Sequence, residues 1–202
     1  MKRKHHNTMQ CLAGVFSYHG APIMIIIARY EERFNEERSV FHIIRLESEE
    51  DPVCPVCSGE LKAKDSRRRH VIQADGSRKY YQLRRLRCRK CRGIHTELPA
   101  CIQPRKHYGA EVIEGELDQR RTDCPAEEST RRRWRNAFSR AKDQIDGVLR
   151  SIWTKMFEKK YPLLSPEQPL LDRLIGAGSG WLALVNQLLI EAGHGPRTRF
   201  AF

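Results

Sequence analysis

The segment CPVCSGELKAKDSRRRHVIQADGSRKYYQLRRLRCRKC, residues 54–91, begins and ends with a Cys-x-x-Cys pair, and 30 residues separate the two pairs. A Cys-x-x-Cys turn can direct both sulfurs at one ion. Two such turns supply the four thiolates that a tetrahedral structural Zn²⁺ site prefers. The sequence therefore predicts one structural Zn²⁺ bound by Cys54, Cys57, Cys88 and Cys91.

The residues between the pairs predict an antiparallel hairpin. RRHVIQA and KYYQLRRLR are strand-like, and Asp75-Gly76 between them is a strong turn signal. Such a hairpin returns the second Cys pair to the first, which is the arrangement of a zinc ribbon. The glycine after each pair, Gly59 and Gly93, is expected to supply the positive φ of the metal-binding turn.

Three alternatives to this zinc site stay open. The Cys-x-x-Cys pairs could be redox-active, they could occur by chance, or His95 could replace one thiol as a ligand. Cys11, Cys101 and Cys124 have no partner spacing and are interpreted as ordinary thiols. The odd total of seven cysteines argues against a secreted disulfide framework.

The chain of 202 residues has 37 Lys and Arg against 25 Asp and Glu, a formal net charge of +12. Most of the excess lies in residues 54–150, which hold 24 basic and 13 acidic side chains. A concentrated positive field suits a polyanion, most commonly nucleic acid. The alternative is a solvated basic surface that only favours solubility.

The positive charge of the hairpin exceeds what a metal site needs. Residues 54–95 hold 13 basic and 3 acidic side chains, whereas a Zn²⁺ with four thiolates has a net charge of about −2. Tyr80 and Tyr81 could stack or pack beside the remaining cations. The predicted phosphate contacts of the hairpin are Arg67, Arg69, Arg84, Arg85, Arg87 and Arg89.

Beyond the hairpin, residues 95–104 contain two prolines and predict a linker. A helix follows near residues 107–120, and a turn of about four residues leads to a long helix that starts near Pro125. This pair predicts a helix-turn-helix with Trp134 directed inward. The alternative is a solvated, arginine-rich face. The residues predicted to face DNA are Ser129, Thr130, Arg131, Arg132, Arg133 and Arg135.

The long helix has an apolar seam with spacings of 4, 3, 4, 3 and 4 residues, which indicates packing against neighbouring helices or, alternatively, a coiled coil. Its members are Trp134, Phe138, Ala141, Ile145, Val148 and Ile152. Residues 170–175 and 181–189 each carry an apolar set at helical spacing, with a glycine hinge at 176–180 between them. These segments are interpreted as two core helices, or as a surface for a protein partner.

The fold class predicted from these patterns is α+β, with a β-rich zinc ribbon followed by a mostly helical region. Residues 1–23 are expected to be a flexible extension and residues 24–100 a zinc-ribbon domain that opens with a strand followed by an irregular segment or a second strand. Residues 101–160 form the predicted helix-turn-helix region, and residues 161–202 a helical tail. The longest apolar run, residues 21–28, is shorter than the stretch of about 20 residues that spans a bilayer. A cytoplasmic protein with no membrane partner is therefore expected.

Three segments together resemble an uncharacterised family of bacterial zinc-ribbon proteins, which in turn is similar to the N-terminal DNA-binding part of insertion-sequence transposases. They are CPVCSGELKAKDSRRRH, LRRLRCRKCRGIHTELPACIQPRKHYGAEVIEGEL and CPAEESTRRRWRNAF. The resemblance covers roughly residues 24–202. It implies the same four cysteines as zinc ligands and the segment from Ser129 to Arg135 as the DNA-facing helix.

The sequence departs from transposases because it has no room for an RNase H-like catalytic domain, no catalytic triad and no phosphate-binding glycine loop. The expected function is therefore a non-enzymatic, zinc-containing protein that binds duplex DNA and is transposon-associated or regulatory. The alternatives are an RNA-binding or protein-interaction ribbon, and a transposase fragment or accessory subunit that works with a separate catalytic chain.

Overall fold

The computed structural model is an α+β protein in which a β-sheet region precedes a set of helices. It describes residues 3–4, 24–27, 30–34, 43–48, 51–120, 123–157 and 169–191. The fold class therefore agrees with the sequence prediction. The proposed flexible extension lies outside the described residues except for 3–4, and the domain division as a whole stays a prediction.

The described part of the chain contains seven strands in one sheet. They are β1 (Arg3–Lys4), β2 (Met24–Ile27), β3 (Tyr30–Phe34), β4 (Ile43–Ser48), β5 (Leu61–Ile72), β6 (Arg78–Cys88) and β7 (Ile94–Pro99). The order is β1-β3-β4-β6-β7-β2, and β5 pairs with β6. Strand β6 pairs with three other strands. It pairs antiparallel with β5 along one edge, while β4 and β7 share its other edge.

The β5–β6 hairpin turns where the sequence predicts it. The backbone N–H of Gln73 donates to the carbonyl of Ser77 at 2.8 Å, and the N–H of Ser77 donates to the carboxylate of Asp75 at 2.9 Å. Gly76 has a φ of 80°, a conformation that costs glycine little because it has no Cβ. The Asp75-Gly76 prediction is confirmed.

Strand β7 corrects the predicted linker at residues 95–104. Residues 85–87 of β6 pair antiparallel with residues 94–96, and β2 pairs parallel with residues 96–99. Pro99 does not prevent this pairing because it is the last residue of the strand, where a missing N–H leaves the interior ladder intact. The hairpin is therefore part of a wider sheet.

One face of the sheet forms a hydrophobic core, and the other face is polar. The core cluster comprises Ile44, Leu46, Val71, Tyr81, Leu83, Leu98 and Ile102. Successive side chains of a strand point to opposite faces, so the residues that alternate with these core positions, such as Arg45 and Gln82, lie on the opposite face. Tyr81 is thus a packing ring, while Tyr80 lies on the polar face.

The described helices are α1 (Ala110–Leu117), α2 (Glu128–Phe157), α3 (Leu170–Gly176) and α4 (Trp181–Glu191). They enclose a second core that includes Ile113, Trp134, Phe138, Leu171 and Trp181. None of the helices in the described ranges is long and apolar enough to cross a membrane.

The buried stripe of α2 follows the period of a packed helix. Trp134, Phe138, Ala141, Ile145 and Leu149 are buried, with spacings of 4, 3, 4 and 4 residues. The predicted seam members Val148 and Ile152 are only half-buried. This drift is what a straight helix of 3.6 residues per turn produces, whereas a coiled coil keeps a period of 3.5. Packing against α1, α3 and α4 accounts for the seam.

The predicted four-residue turn between the first two helices is wrong. Helix α1 ends at Leu117 and α2 begins at Glu128, so residues 118–127 connect them. Pro125 precedes the helix, and the carbonyl of Glu127 accepts the first backbone N–H groups at 2.9–3.0 Å. The glycine hinge is confirmed as the turn between α3 and α4, with Gly178 and Gly180 at positive φ.

Candidate metal centre and basic surface

Four cysteines from two separate turns meet at one end of the β5–β6 hairpin. Cys54 and Cys57 precede β5, Cys88 ends β6, and Cys91 lies in the turn to β7. Their Sγ atoms all lie within 4.8 Å of one another. The Cys54–Cys91 and Cys57–Cys88 separations are 3.6 and 3.5 Å. Four sulfurs bonded at about 2.3 Å to a tetrahedral Zn²⁺ lie about 3.8 Å apart, so this cluster fits such an ion.

The two turns have the same backbone design. In the first, the N–H of Cys54 donates to the carbonyl of Gly59 and the N–H of Ser58 to that of Cys54, at 2.9 and 2.8 Å. In the second, the N–H of Cys88 donates to the carbonyl of Gly93 at 2.9 Å, and the N–H of Arg92 donates to the carbonyl of Cys88 at 3.1 Å. Each turn is therefore closed by two backbone hydrogen bonds that direct its two sulfurs to the same side.

The prediction that Gly59 and Gly93 supply the positive φ of the two turns is wrong. Ser58 and Arg92 have the positive φ values, 54° and 64°. Gly59 instead provides space, since a Cβ there would lie 3.1 Å from Cys88 Sγ and 3.3 Å from Cys57 Sγ. The glycine lets the backbone approach the sulfurs closely, so its contribution is steric.

His95 lies beside the sulfur cluster. Its Nε2 is 3.3 Å from the Sγ of Cys54, and the ring is buried. This is a hydrogen-bonding distance to a sulfur. The four thiols already supply a complete tetrahedral set, so the histidine is placed to orient Cys54 rather than to replace a ligand.

The environment shifts the pKa values of Cys54 and Cys88 in opposite directions. Burial raises the pKa of Cys54 to about 12. Burial also opposes ionisation of Cys88, but the backbone N–H of Cys91 and neighbouring thiols outweigh it and lower the pKa of Cys88 to about 6. Cys88 is therefore ready to bind a cation as a thiolate near neutral pH, whereas Cys54 must lose a proton.

The other two described cysteines are not part of the cluster. Cys101 is packed against the sheet core and Cys124 against the helical core. Neither forms a disulfide bond with another described cysteine. Cys11 lies outside the described residues.

Most of the hairpin arginines predicted to contact phosphate are held by other protein groups. Arg84 forms a bidentate ion pair with the buried carboxylate of Glu97. Arg85 pairs in the same way with Asp65. Arg89 lies 3.4 Å from Glu60. An arginine that is already paired offers a phosphate a weaker attraction than a free one.

Arg69 holds the chain beyond β7 against the sheet. Its guanidinium donates to the backbone carbonyls of Gln103, at 2.8 Å, and of Lys106. By contrast, Arg67 and Arg87 are exposed, and their side chains make no hydrogen bond or ion pair with any other described residue. The sequence could not separate these two groups because the partners are distant along the chain.

The polar residues at the start of α2 also fall into two groups, those whose side chains are paired with other protein groups and those that are exposed. Arg131 donates through Nε to the buried carboxylate of Glu116 at 2.6 Å, and Arg135 pairs with both Glu116 and Glu128. These bonds tie α2 to α1. Arg133 donates to the hydroxyl of Thr130 at 2.9 Å. Ser129 and Arg132 are exposed, and their side chains make no hydrogen bond or ion pair in the part of the chain that the structure describes.

Sequence reasoning missed a basic set on the polar face of the sheet. Arg45 and Arg68 are exposed there, and Gln82 lies between them by strand register. Arg68 belongs to the conspicuous run of three arginines, but no pattern in the sequence indicates that Arg45, 23 residues earlier, is its neighbour. Only the parallel pairing of β4 with β6 brings the two together.

Comparison with known proteins gives one match. Residues 54–134 match the family model of a domain of unknown function, DUF6431. No curated protein and no solved structure matched the chain. The matched region runs from the first metal-binding turn through the hairpin, β7 and α1 to Trp134 of α2. It is similar to DUF6431 over less than half of the chain, and the resemblance to transposases stays a prediction.

Proposed function

We propose that this protein is a non-enzymatic DNA-binding protein whose hairpin is held by one structural Zn²⁺. The observation that carries the proposal is the four-sulfur cluster at the end of an arginine-rich hairpin. Tetrahedral sets of four sulfurs suit Zn²⁺ or iron–sulfur chemistry. Zn²⁺ is favoured because two short Cys-x-x-Cys turns on a ribbon form a closed structural site with no open coordination position.

The metal would act by fixing the hairpin end. Through the ion, Cys54 and Cys57 would tie the start of β5 to Cys88 and Cys91 at the end of β6. Binding energy of the ion becomes folding energy in small modules of this kind. The rigid hairpin then presents its exposed cations in a defined arrangement.

The charge of the central region supports duplex DNA as the partner. Residues 54–150 carry 24 basic and 13 acidic side chains, and cations that bind phosphates release counterions from the duplex. Arg67, Arg87, Arg132 and Arg133 have no carboxylate partner among the described residues. Their distribution over hairpin and helix is compatible with contacts along a DNA backbone.

A role in a mobile element or in regulation rests on the resemblance to the DNA-binding part of transposases. In that role the hairpin would hold the backbone while α2 reads bases. The ion pairs of Arg131 and Arg135 with Glu116 leave Arg132 and Arg133 as the better candidates for base contacts. Replacing a base-contacting arginine costs about 1–3 kcal/mol on the preferred site and much less on random DNA.

The experiment that tests this function begins with the pure full chain under reducing conditions. Metal analysis should give one zinc per chain and no iron. Bound nucleic acid should then be recovered, sequenced and used in binding titrations over a range of salt concentrations. Duplex DNA is expected to bind with strong salt dependence. Tighter binding to structured RNA, or affinity that hardly changes with salt, would contradict the proposal.

A further inference from the structure

Three strands place a row of polar residues across the outer face of the sheet. Arg45 of β4 is the register partner of Gln82 of β6, and Gln82 is the register partner of Arg68 of β5. Neighbouring strands lie about 4.8 Å apart, so the two arginines are about 10 Å apart on one face. Arg33 of β3 is in turn the register partner of Arg45.

This row is oriented by hydrogen bonds. The Nε of Arg45 donates to Oε1 of Gln82 at 3.1 Å, and Nε2 of Gln82 donates to the hydroxyl of Ser66 at 2.6 Å. Both Nη groups of Arg45 are left without a protein partner in the described residues. A planar guanidinium held in this way suits a phosphate, which it can bind through two parallel N–H groups.

The charge of the row is not neutralised as it is elsewhere on the protein. Arg45 and Arg68 form no ion pair with any described carboxylate, in contrast to Arg84, Arg85 and Arg131. Arg68 is also exposed and lies on β5, which pairs only with β6 among the described strands, so its side chain is open to a partner at the edge of the sheet.

We propose that Arg45, Ser66, Arg68 and Gln82, the outer row, bind the sugar–phosphate backbone of duplex DNA. This inference rests on the proposed DNA-binding function and adds the surface that performs it. Guanidinium groups bind phosphate oxygens through paired N–H groups, and phosphate contacts carry little sequence information. The outer row therefore contributes affinity for all sequences, and base reading falls to another part of the protein.

The test compares three arginine variants that each remove one exposed positive charge. Arg45→Ala and Arg68→Ala alter the outer row. Arg140→Ala is the matched control, because Arg140 is exposed on α2 and has no partner among the described residues. Each variant should keep the metal content and melting temperature of the wild type, and each is titrated with two unrelated DNA duplexes at four salt concentrations.

The expected result is a roughly three- to tenfold loss of affinity for both duplexes in Arg45→Ala and Arg68→Ala, with the larger loss in Arg68→Ala. Each should flatten the slope of log affinity against log salt by about one unit. Arg140→Ala should keep the wild-type slope. Gln82→Leu, which removes the bond to Arg45 but no charge, should weaken binding without changing the slope.

The outcomes separate this inference from the function on which it rests. If the wild type binds duplex DNA and the outer-row variants bind equally well, the inference is overturned and the function stands. Equal losses in all three arginine variants, Arg140→Ala included, also overturn it, since any surface charge would then suffice. If the wild type binds no duplex DNA, or binds structured RNA more tightly, the proposed function itself fails.

Discussion

Arg84 and Glu97 form a bidentate ion pair on the outer face of the sheet, with Nε–Oε2 and Nη2–Oε1 distances of 2.5 and 2.9 Å. The carboxylate is only 2% exposed, whereas the arginine side chain is 36% exposed. The pair joins β6 to β7 a short distance from the cysteine cluster. Arg84 therefore neutralises a buried charge, which is a different task from binding phosphate.

Arg84→Ala should destabilise the fold because it leaves the buried carboxylate of Glu97 without its cation. We expect a loss of about 1–3 kcal/mol in the free energy of unfolding, the lower part of this range being favoured by the partial exposure of the arginine. Urea denaturation measures this loss. Arg87→Ala, on the same strand but exposed and unpaired, should leave the denaturation midpoint nearly unchanged.

Removing both charges provides the decisive comparison for that pair. The double variant Arg84→Met and Glu97→Leu should recover most of the stability that Arg84→Ala loses, since no buried charge is then left unpaired. A double variant that is less stable than Arg84→Ala would mean that packing at this position, rather than charge, stabilises β7.

Replacing any one of the four clustered cysteines by serine should abolish stoichiometric metal binding and unfold the hairpin. Three thiolates bind Zn²⁺ less tightly, and the metal supplies folding energy to this part of the chain. Metal analysis and near-UV circular dichroism measure the two effects. Cys124→Ser is the control, because Cys124 packs against the helical core and should keep one metal per chain. Metal binding that survives all four ligand substitutions would exclude this site.

Gly59→Ala should weaken metal binding by roughly tenfold, in the range typical of changes next to metal ligands. The added methyl carbon would lie 3.0 Å from Lys90 Cβ and 3.1 Å from Cys88 Sγ, so the second turn would have to move. Competition with a chromophoric chelator measures the affinity.

Gly147→Ala is the matched glycine control. Nothing lies within 4 Å of a Cβ at that exposed position of α2, and alanine stabilises a helix interior by about 0.5–1 kcal/mol relative to glycine. Unchanged metal affinity and increased stability are expected for this variant. If Gly59→Ala also binds the metal normally, the close approach to the sulfurs is not needed.

Asp146 should make the junction of α2 and α3 sensitive to acid. Its carboxylate accepts the backbone N–H of Leu171 at 2.9 Å and Nε–H of Arg150 at 2.7 Å. Burial alone would raise the pKa of Asp146, but these donors outweigh it and hold the pKa below 3.8. The folded protein thus binds this proton less readily than the unfolded chain.

The sign of the pH effect follows from that lowered pKa. The stabilisation is present at pH values above the ordinary pKa of an aspartate and is lost as pH falls through the lower pKa of Asp146 in the folded protein. Asp146→Ala should cost about 0.5–2 kcal/mol at pH 7, as for other helix-capping residues. Its difference from the wild type should shrink with acidification in urea denaturation, and a difference independent of pH would contradict the capping role of the charge.

The sequence by itself determined the features that depend on neighbours along the chain. The two Cys-x-x-Cys turns, the Asp75-Gly76 hairpin and the buried stripe of α2 all follow from turn chemistry and residue spacing. A hairpin with a defined turn returns the chain to its starting point. This is why the four-sulfur cluster could be predicted although it is built from two turns separated by 30 residues.

Only the tertiary structure decided which arginine side chains form ion pairs or hydrogen bonds with other protein groups. Arg84 meets Glu97, Arg131 meets Glu116, and Arg45 meets Gln82. Each contact depends on strand register or on how two helices pack, and a shift of one residue along a strand would move every side chain to the other face. Long-range pairing also makes residues 94–99 a strand, although two prolines in residues 95–104 predicted a linker. The composition determines the total charge, whereas long-range pairing determines which charged side chains are available to contact a partner.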